Sequence, residues 1–266
     1  MDPKKIRLVV SDMDGTLLNS KGEIPAAFPS LLERMKRNGV TFCAASGRQI
    51  FNIKTKFPDM RDGIYFIAEN GAYATYGDET LIELAISRED VKNFRETAIG
   101  IPNTHIVLSG KRNAYIEAHD PDFLARLRSY SGHLKETRDV SQIEDDTFFK
   151  FTLCDFDNPL KNSLPRFVKF RGEFQVESSG PRWMDITRKE ANKAAAVRLI
   201  QRRLGITPEE TVVFGDYLND LRMIEECPNA YAMANAIDAV KKAAKNEAPS
   251  CEDGGVAEVL DRMLPA

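Results

Sequence analysis

Asp12 and Asp14 stand one residue apart in Asp12-Met13-Asp14-Gly15-Thr16, directly after the apolar run of residues 6–10. Two carboxylates placed where a buried strand gives way to a loop lie at the sheet edge where open α/β folds bind ligands. Gly15 predicts that the chain is already turning there, which would bring both acids to one pocket. Crowded carboxylates repel unless a cation screens them or one takes up a proton. Mg²⁺ is the economical partner, because it takes oxygen ligands and works beside substrate phosphate. The chemistry so indicated is phosphoryl transfer. An acidic turn after a strand would present the same two residues, so the rest of the chain must decide.

A second acidic cluster follows a second buried strand, in Gly215-Asp216-Tyr217-Leu218-Asn219-Asp220 after residues 211–214. If both strands share one parallel sheet, Asp12 and Asp216 fall on the same edge and, with a backbone carbonyl and water, complete an oxygen site for Mg²⁺. Ser46 ends another strand in Ala45-Ser46-Gly47-Arg48. A hydroxyl and adjacent backbone N–H groups at a helix start form a phosphate cradle, although an ordinary N-cap serine reads the same. Lys193 opens a later helix as a compact charge suited to a transferring phosphoryl group. Its alternative is a solvated lysine on a helix face.

The elements that must position these residues alternate along the chain. Residues 6–10, 40–45 and 64–68 read as strands, and 28–37 and 49–57 as helices, with Asn38-Gly39 closing the first and Pro58 stopping the second. Such alternation predicts right-handed βαβ units and a parallel sheet covered on both faces. From about residue 80 the pattern changes to short alternating segments at 103–108, 113–118, 148–153 and 174–178, with helical stretches at 88–98, 121–130 and 160–171. The α/β pattern returns with a helix at 193–204, a strand at 211–214, a helix at 220–227, a strand at 230–233, a helix at 237–244 and a last helix from Val256. The expected architecture is α/β: a doubly wound, Rossmann-like parallel-sheet core of residues 1–80 and 185–266, split by an inserted α+β cap at 81–184.

With 266 residues, 42% of them hydrophobic, and a formal net charge of −3, the chain can bury a full core and has no charge excess suited to nucleic acid or an acidic membrane. No apolar stretch is long enough to span a bilayer, and Met1-Asp2-Pro3-Lys4-Lys5 leads into a short strand, so the expected location is the cytoplasm. Cys43, Cys154, Cys227 and Cys251 lack metal or disulfide spacing and read as reduced thiols. His105, His119 and His133 are scattered and read as locally bonded or solvated rather than as zinc ligands.

Asp12-x-Asp14-Gly15-Thr16, Ser46, Lys193 and Gly215-Asp216-x-x-Asn219-Asp220 stand in the order of the four motifs of the haloacid dehalogenase superfamily, and the chain resembles its Cof-type, class IIB cap branch of sugar phosphatases. Thr16-Leu17-Leu18, Ser46-Gly47-Arg48, Glu69-Asn70-Gly71-Ala72, Ala234-Asn235-Ala236 and Glu252-Asp253-Gly254-Gly255-Val256 extend the likeness over nearly the whole chain. Two features depart from the pattern: Ala194 replaces the glycine common after the third motif's lysine, and residues 187–192 before it contain no glycine. They put the direction of Lys193 in question.

The resemblance implies a Mg²⁺-dependent phosphatase acting on small phosphorylated metabolites. Asp12 is then the nucleophile that forms an aspartyl-phosphate, and Asp14 the acid and base. Ser46 and Lys193 bind the phosphoryl oxygens, and Asp12, Asp216 and the backbone of Asp14 hold the metal. Asn219 and Asp220 orient metal-bound water or Lys193. An acid two residues after the nucleophile goes with phosphatases and mutases, so a phosphomutase is the alternative enzyme, and a non-catalytic ligand-binding module is the alternative outside enzymology. Specificity is expected from the cap. Gly47, Arg48, Asn70, Asn219 and Arg182 are the substrate-binding candidates. Arg182 reads equally well as solvated, and Trp183 as a stacking partner or as junction packing.

Overall fold

The computed structural model describes residues 6–58, 62–117, 120, 123, 124, 127 and 133–265. The helix expected over residues 121–130 falls largely outside the described residues, as does His119. Two compact units emerge, one of Met1–Arg48, Ile53–Ile82 and Asn192–Ala266, the other of Gln49–Asn52 and Glu83–Ala191.

The first unit is built on an eight-stranded sheet. Its strands in chain order are β1 (Leu8–Asp12), β2 (Thr41–Ala45), β3 (Ile64–Ala68), β4 (Tyr73–Tyr76), β5 (Glu79–Glu83), β12 (Thr211–Gly215), β13 (Asn229–Met233) and β14 (Asn246–Ala248), the numbers β6 to β11 belonging to the second unit. Their spatial order is β14-β13-β12-β1-β2-β3-β4-β5. β14 to β3 run parallel and β4 turns back antiparallel. β1, β3 and β12 are buried along their whole length, which is why each is built around a run of apolar residues. The chain leaves β1 for β2 on one side and returns to β12 on the other, so the strand order reverses at the β1–β12 boundary. That reversal is where doubly wound sheets bind ligands.

Helix α1 (Phe28–Arg37) buries Phe28, Leu31 and Met35 at helical spacing. The rings of Phe28, Phe42, Phe57 and Phe66 pack edge-on or tilted, 5.1–6.4 Å apart. Helix α2 (Ile50–Lys54) is shorter than the expected 49–57, because Lys56 and Phe57 donate to the carbonyls three residues back and tighten the chain, with Phe57 buried. Of the later helices of this unit, α5 spans Lys193–Leu204, α6 Leu221–Glu226, α7 Asp238–Ala243 and α8 Gly255–Met263, the numbers α3 and α4 belonging to the second unit.

The second unit carries a six-stranded sheet in the order β10-β11-β9-β6-β7-β8. Its strands are β6 (Thr104–Gly110), β7 (Ala114–Glu117), β8 (Leu134–Glu136), β9 (Phe148–Asp155), β10 (Phe174–Gly180) and β11 (Trp183–Arg188). Helices α3 (Arg88–Ala98) and α4 (Leu164–Phe167) cover one face, where Phe94 meets Phe151, Phe170 and Phe174 edge-on. The helix expected over 160–171 is reduced to α4 and a following 3₁₀ turn. Pro165 sits in the first turn of α4, where its missing N–H is harmless. Residues 183–188, which straddle the expected cap–core boundary at 184/185, form strand β11, seated between β9 and β10 in the second unit. Among the described residues no helix is long and apolar enough to cross a membrane.

Candidate active site

β1 runs two residues further than its apolar run. Ser11 remains inside the sheet because its hydroxyl donates to the carbonyl of Asp12 (2.7 Å), so Asp12 is the last residue of the strand. Register then places the chemistry. Asp12 is level with Ala45 on β2, one residue before Ser46, and Ser11 is level with Phe214 on β12, two residues before Asp216. Three strand ends thus deliver Asp12, Ser46 and Asp216 to one edge at the point of strand reversal.

Lys193 reaches the same point from the first residue of α5. Asn192 caps this helix, its side-chain oxygen accepting from the N–H of Ala195 (2.8 Å). The Lys193 side chain has no exposed surface, and its Nζ donates to Asp12 Oδ1 and to Asp220 Oδ1, the latter at 2.7 Å. Ala194, in place of the family's glycine, leaves the lysine aimed at the cluster. Burial works to lower the Lys193 pKa, but the Asp12 and Asp220 carboxylates outweigh it and raise the ammonium above its usual range.

Asp220 is fully buried, and its second oxygen accepts from the backbone N–H groups of Asp216 (3.0 Å) and Tyr217 (3.2 Å). Both its oxygens are therefore committed to holding Lys193 and the loop. Thr16 donates its hydroxyl to Asp216 Oδ1 at 3.1 Å, a contact the sequence reading missed because a threonine after a glycine carries no distinctive spacing. Gly15 has φ +77°, and a Cβ there would stand 2.5 Å from Asp216 Oδ2, so the turn needs glycine twice over.

The Asp14 carboxylate, half exposed, is gripped by Arg48 through both oxygens, with Nε at 2.6 Å. Ser46 is buried and its hydroxyl accepts from the N–H of Arg48 at 3.0 Å. Asn219 donates to Asn70 Oδ1 at 3.0 Å. Arg182 belongs to the second unit, where its guanidinium lies 5.3 Å over the ring of Phe156. Trp183 in that unit packs against the apolar cluster of Val107, Ile116 and Phe123. His105 stacks on Phe123 at 4.4 Å, and burial lowers its pKa despite Asp120 nearby. Cys43, Cys154, Cys227 and Cys251 are buried and stand outside any disulfide.

Asp12, Asp216 and Asp220 each offer an oxygen within 4.8 Å of the others. Against these three carboxylates Lys193 is, among the described residues, the one cation in hydrogen-bond contact. Burial first, and the charge of Asp220 next, push the Asp12 carboxyl well above its ordinary range, and the same two causes raise Asp216 to about 6. An all-oxygen donor set carrying excess negative charge fits Mg²⁺. Asp12 Oδ2 and Asp216 Oδ2 accept no hydrogen bond from described residues, and Asp12 and Asp216 are the carboxylates that would hold the ion.

A raised acid favours the folded state at low pH. The contribution of Asp216 is fully present below pH 3.8 and is lost as pH rises to about 6. Mg²⁺ should therefore stabilise the protein most where these carboxylates are ionised. Thermal melts with Mg²⁺ and with chelator are expected to separate clearly at neutral pH and to converge well below pH 6. An equal shift at both pH values would contradict the assignment.

Residues 9–260 match the family model of the haloacid dehalogenase-like hydrolases. The chain is 31% identical, over 97% of its length and 96% of the relative's, to the 5-amino-6-(5-phospho-D-ribitylamino)uracil phosphatase YbjI of Escherichia coli (strain K12). Its fold superposes on that of SMU.1108c from Streptococcus mutans UA159 with a TM-score of 0.88 at 29% identity, covering 97% and 98% of the two chains. The subclass IIB sugar phosphatase BT4131 shares the fold with a TM-score of 0.79 at 23% identity, over 96% and 98% of the chains.

Proposed function

The chain belongs to the haloacid dehalogenase-like hydrolases, and we propose that within this family it is a Mg²⁺-dependent phosphatase of small phosphate monoesters, sugar phosphates above all. The observation that carries this reading is the Asp12 carboxylate, held through one oxygen by the buried Lys193 while the other accepts no hydrogen bond from a described residue. An oxygen so presented is a nucleophile in a fixed orientation.

In the proposed reaction Asp12 Oδ2 attacks phosphorus, the bond to the leaving oxygen breaks, and Asp14, which takes up a proton once Arg48 has left it for the anionic ester, gives that proton to the leaving oxygen. Asp14 then takes a proton from water as the water attacks the aspartyl-phosphate. The Asp12–phosphorus bond breaks, inorganic phosphate leaves and the Asp12 carboxylate is restored. The Ser46 hydroxyl, the Gly47 N–H and the third Lys193 N–H bind the non-transferring oxygens. Asn219 joins them through the amide hydrogen that Asn70 does not use, and Arg48, released from Asp14, meets the anionic ester. Asp12, Asp216 and the backbone of Asp14 would hold Mg²⁺, whose positive charge, when bound, would neutralise the phosphoryl oxygens.

The relative's pyrimidine substrate carries a phosphorylated ribityl chain, a monoester of the class proposed here. Phosphate release from a panel of sugar phosphates, nucleotides and that pyrimidine, with Mg²⁺ or with chelator, tests the reading. Metal-dependent release is expected, strongest on a phosphorylated sugar or sugar alcohol. Release unaffected by chelator, or isomeric phosphates formed in place of free phosphate, would overturn it.

A further inference from the structure

Glu69, Asn70 and Gly71 follow β3 at the sheet edge that carries the site. Glu69 (φ 48°) and Asn70 (φ 54°) are consecutive non-glycine residues in the left-handed region. Asparagine tolerates that conformation; a glutamate held there is strained. Extended backbone would send successive N–H groups to opposite sides. In this corner both face one loop. Glu69 donates to the Arg48 carbonyl and Asn70 to the Ser46 carbonyl, each at 3.0 Å, while Ser46 itself donates to Ile67 at 2.8 Å. Three backbone bonds thus fix Ser46-Gly47-Arg48 against the end of β3.

The same corner reaches the other two parts of the site. The Asn70 amide packs on the bare Cα of Gly47, where a Cβ would stand 3.0 Å from Oδ1, and that oxygen accepts from Asn219 at 3.0 Å. Asn219 lies between Asp216 and Asp220 in the loop after β12. Gly71 has φ +99°, and a Cβ on it would overlap the carbonyl of Asn192, the residue that caps α5 immediately before Lys193. Three consecutive residues with no part in bond making therefore abut the Ser46 loop, the Asp216–Asp220 loop and the start of the Lys193 helix.

We propose that Glu69-Asn70-Gly71 is the positioning element that sets the spacing of the phosphate-binding groups, and that Asn70 acts through Asn219 rather than by touching substrate. The proposal rests on the phosphatase reading above. Asn70 spends its acceptor on Asn219, which leaves one N–H of the Asn219 amide held in place for a phosphoryl oxygen. The substrate contact expected of Asn70 from its motif is thereby reassigned to its partner.

Asn70→Gly is the informative variant, because glycine keeps the left-handed backbone without strain and removes only the amide. It is compared with Asn219→Ala and with the double variant, reading kcat and KM for a phosphate ester under Mg²⁺, the calorimetric affinity for inorganic phosphate, and the melting temperature. Each single variant is expected to raise KM about 10-fold, the loss of one hydrogen bond to a charged group. Phosphate affinity should fall in parallel, with the melting temperature nearly unchanged. The double variant should be no worse than the poorer single one, since both remove the same contact. Multiplicative losses would mean that Asn70 touches substrate independently, and wild-type kinetics in Asn70→Gly would mean that it positions nothing; either overturns the proposal. A wild-type protein that releases phosphate from no ester would instead sink the functional reading itself.

Discussion

Asp12→Asn is expected to abolish phosphate release, with kcat lowered on the order of 10⁴- to 10⁶-fold, the range seen when a nucleophile is removed from a site that acts as a unit. The amide retains the shape of the carboxylate and loses its nucleophilic oxygen. Stability should move the other way. Burial and the Asp220 charge make ionised Asp12 unfavourable in the metal-free fold, so the neutral amide relieves repulsion and should leave the chelated protein at least as stable as wild type. Steady-state phosphate release together with chemical denaturation in chelator checks both halves. A variant that turns over normally removes Asp12 from the chemistry. One that is inactive because it unfolds leaves the loss structural.

Lys193→Met is expected to lose activity and stability together. The ammonium is wholly buried against Asp12 and Asp220, themselves buried, and deleting one side of such an arrangement strands the opposite charges. The expected cost is about 3–5 kcal/mol in urea denaturation. Adding Asp220→Asn should recover a substantial part of the stability, because it removes one of the stranded carboxylates, and should recover none of the activity. A single variant within about 1 kcal/mol of wild type would show the pair to behave like an exposed ion pair, contrary to its burial.

Much of the scaffold is legible where the chain punctuates itself. α1, α3 and α5 fall on their expected residues because Pro29 with Asn38-Gly39, Ser87 and Asn192 mark their ends. β3 is as expected because its five residues are apolar throughout. Strand β14, Asn246–Ala248, was not foreseen, since three residues at a sheet edge with little apolar character carry no periodicity. β11 was hidden by Asp185 and Thr187, whose polar side chains obscure its pairing with β9 and β10.

For the candidate site, motif order singled out Asp12, Ser46, Lys193 and Asp216, and tertiary geometry fixed which groups they touch. The sequence left Asp220 between two tasks, orienting a metal-bound water or orienting Lys193; in the fold its Oδ1 accepts from Lys193. Nothing in the spacing of Asp14 and Arg48, 34 residues apart, indicates that they form a two-point ion pair. The same holds for Asn70 and Asn219, joined across 149 residues. Such contacts depend on which strands lie side by side, information that resides in the sheet order rather than in local pattern.

The covalent step proposed on Asp12 is tested most directly by acid-quenching the protein during turnover of a phosphate ester with Mg²⁺ and locating the phosphoryl group by mass spectrometry. One phosphoryl group is expected on the peptide containing Asp12, formed and discharged at rates compatible with kcat. A label on another residue, or none at any time while phosphate is being released, would contradict the account.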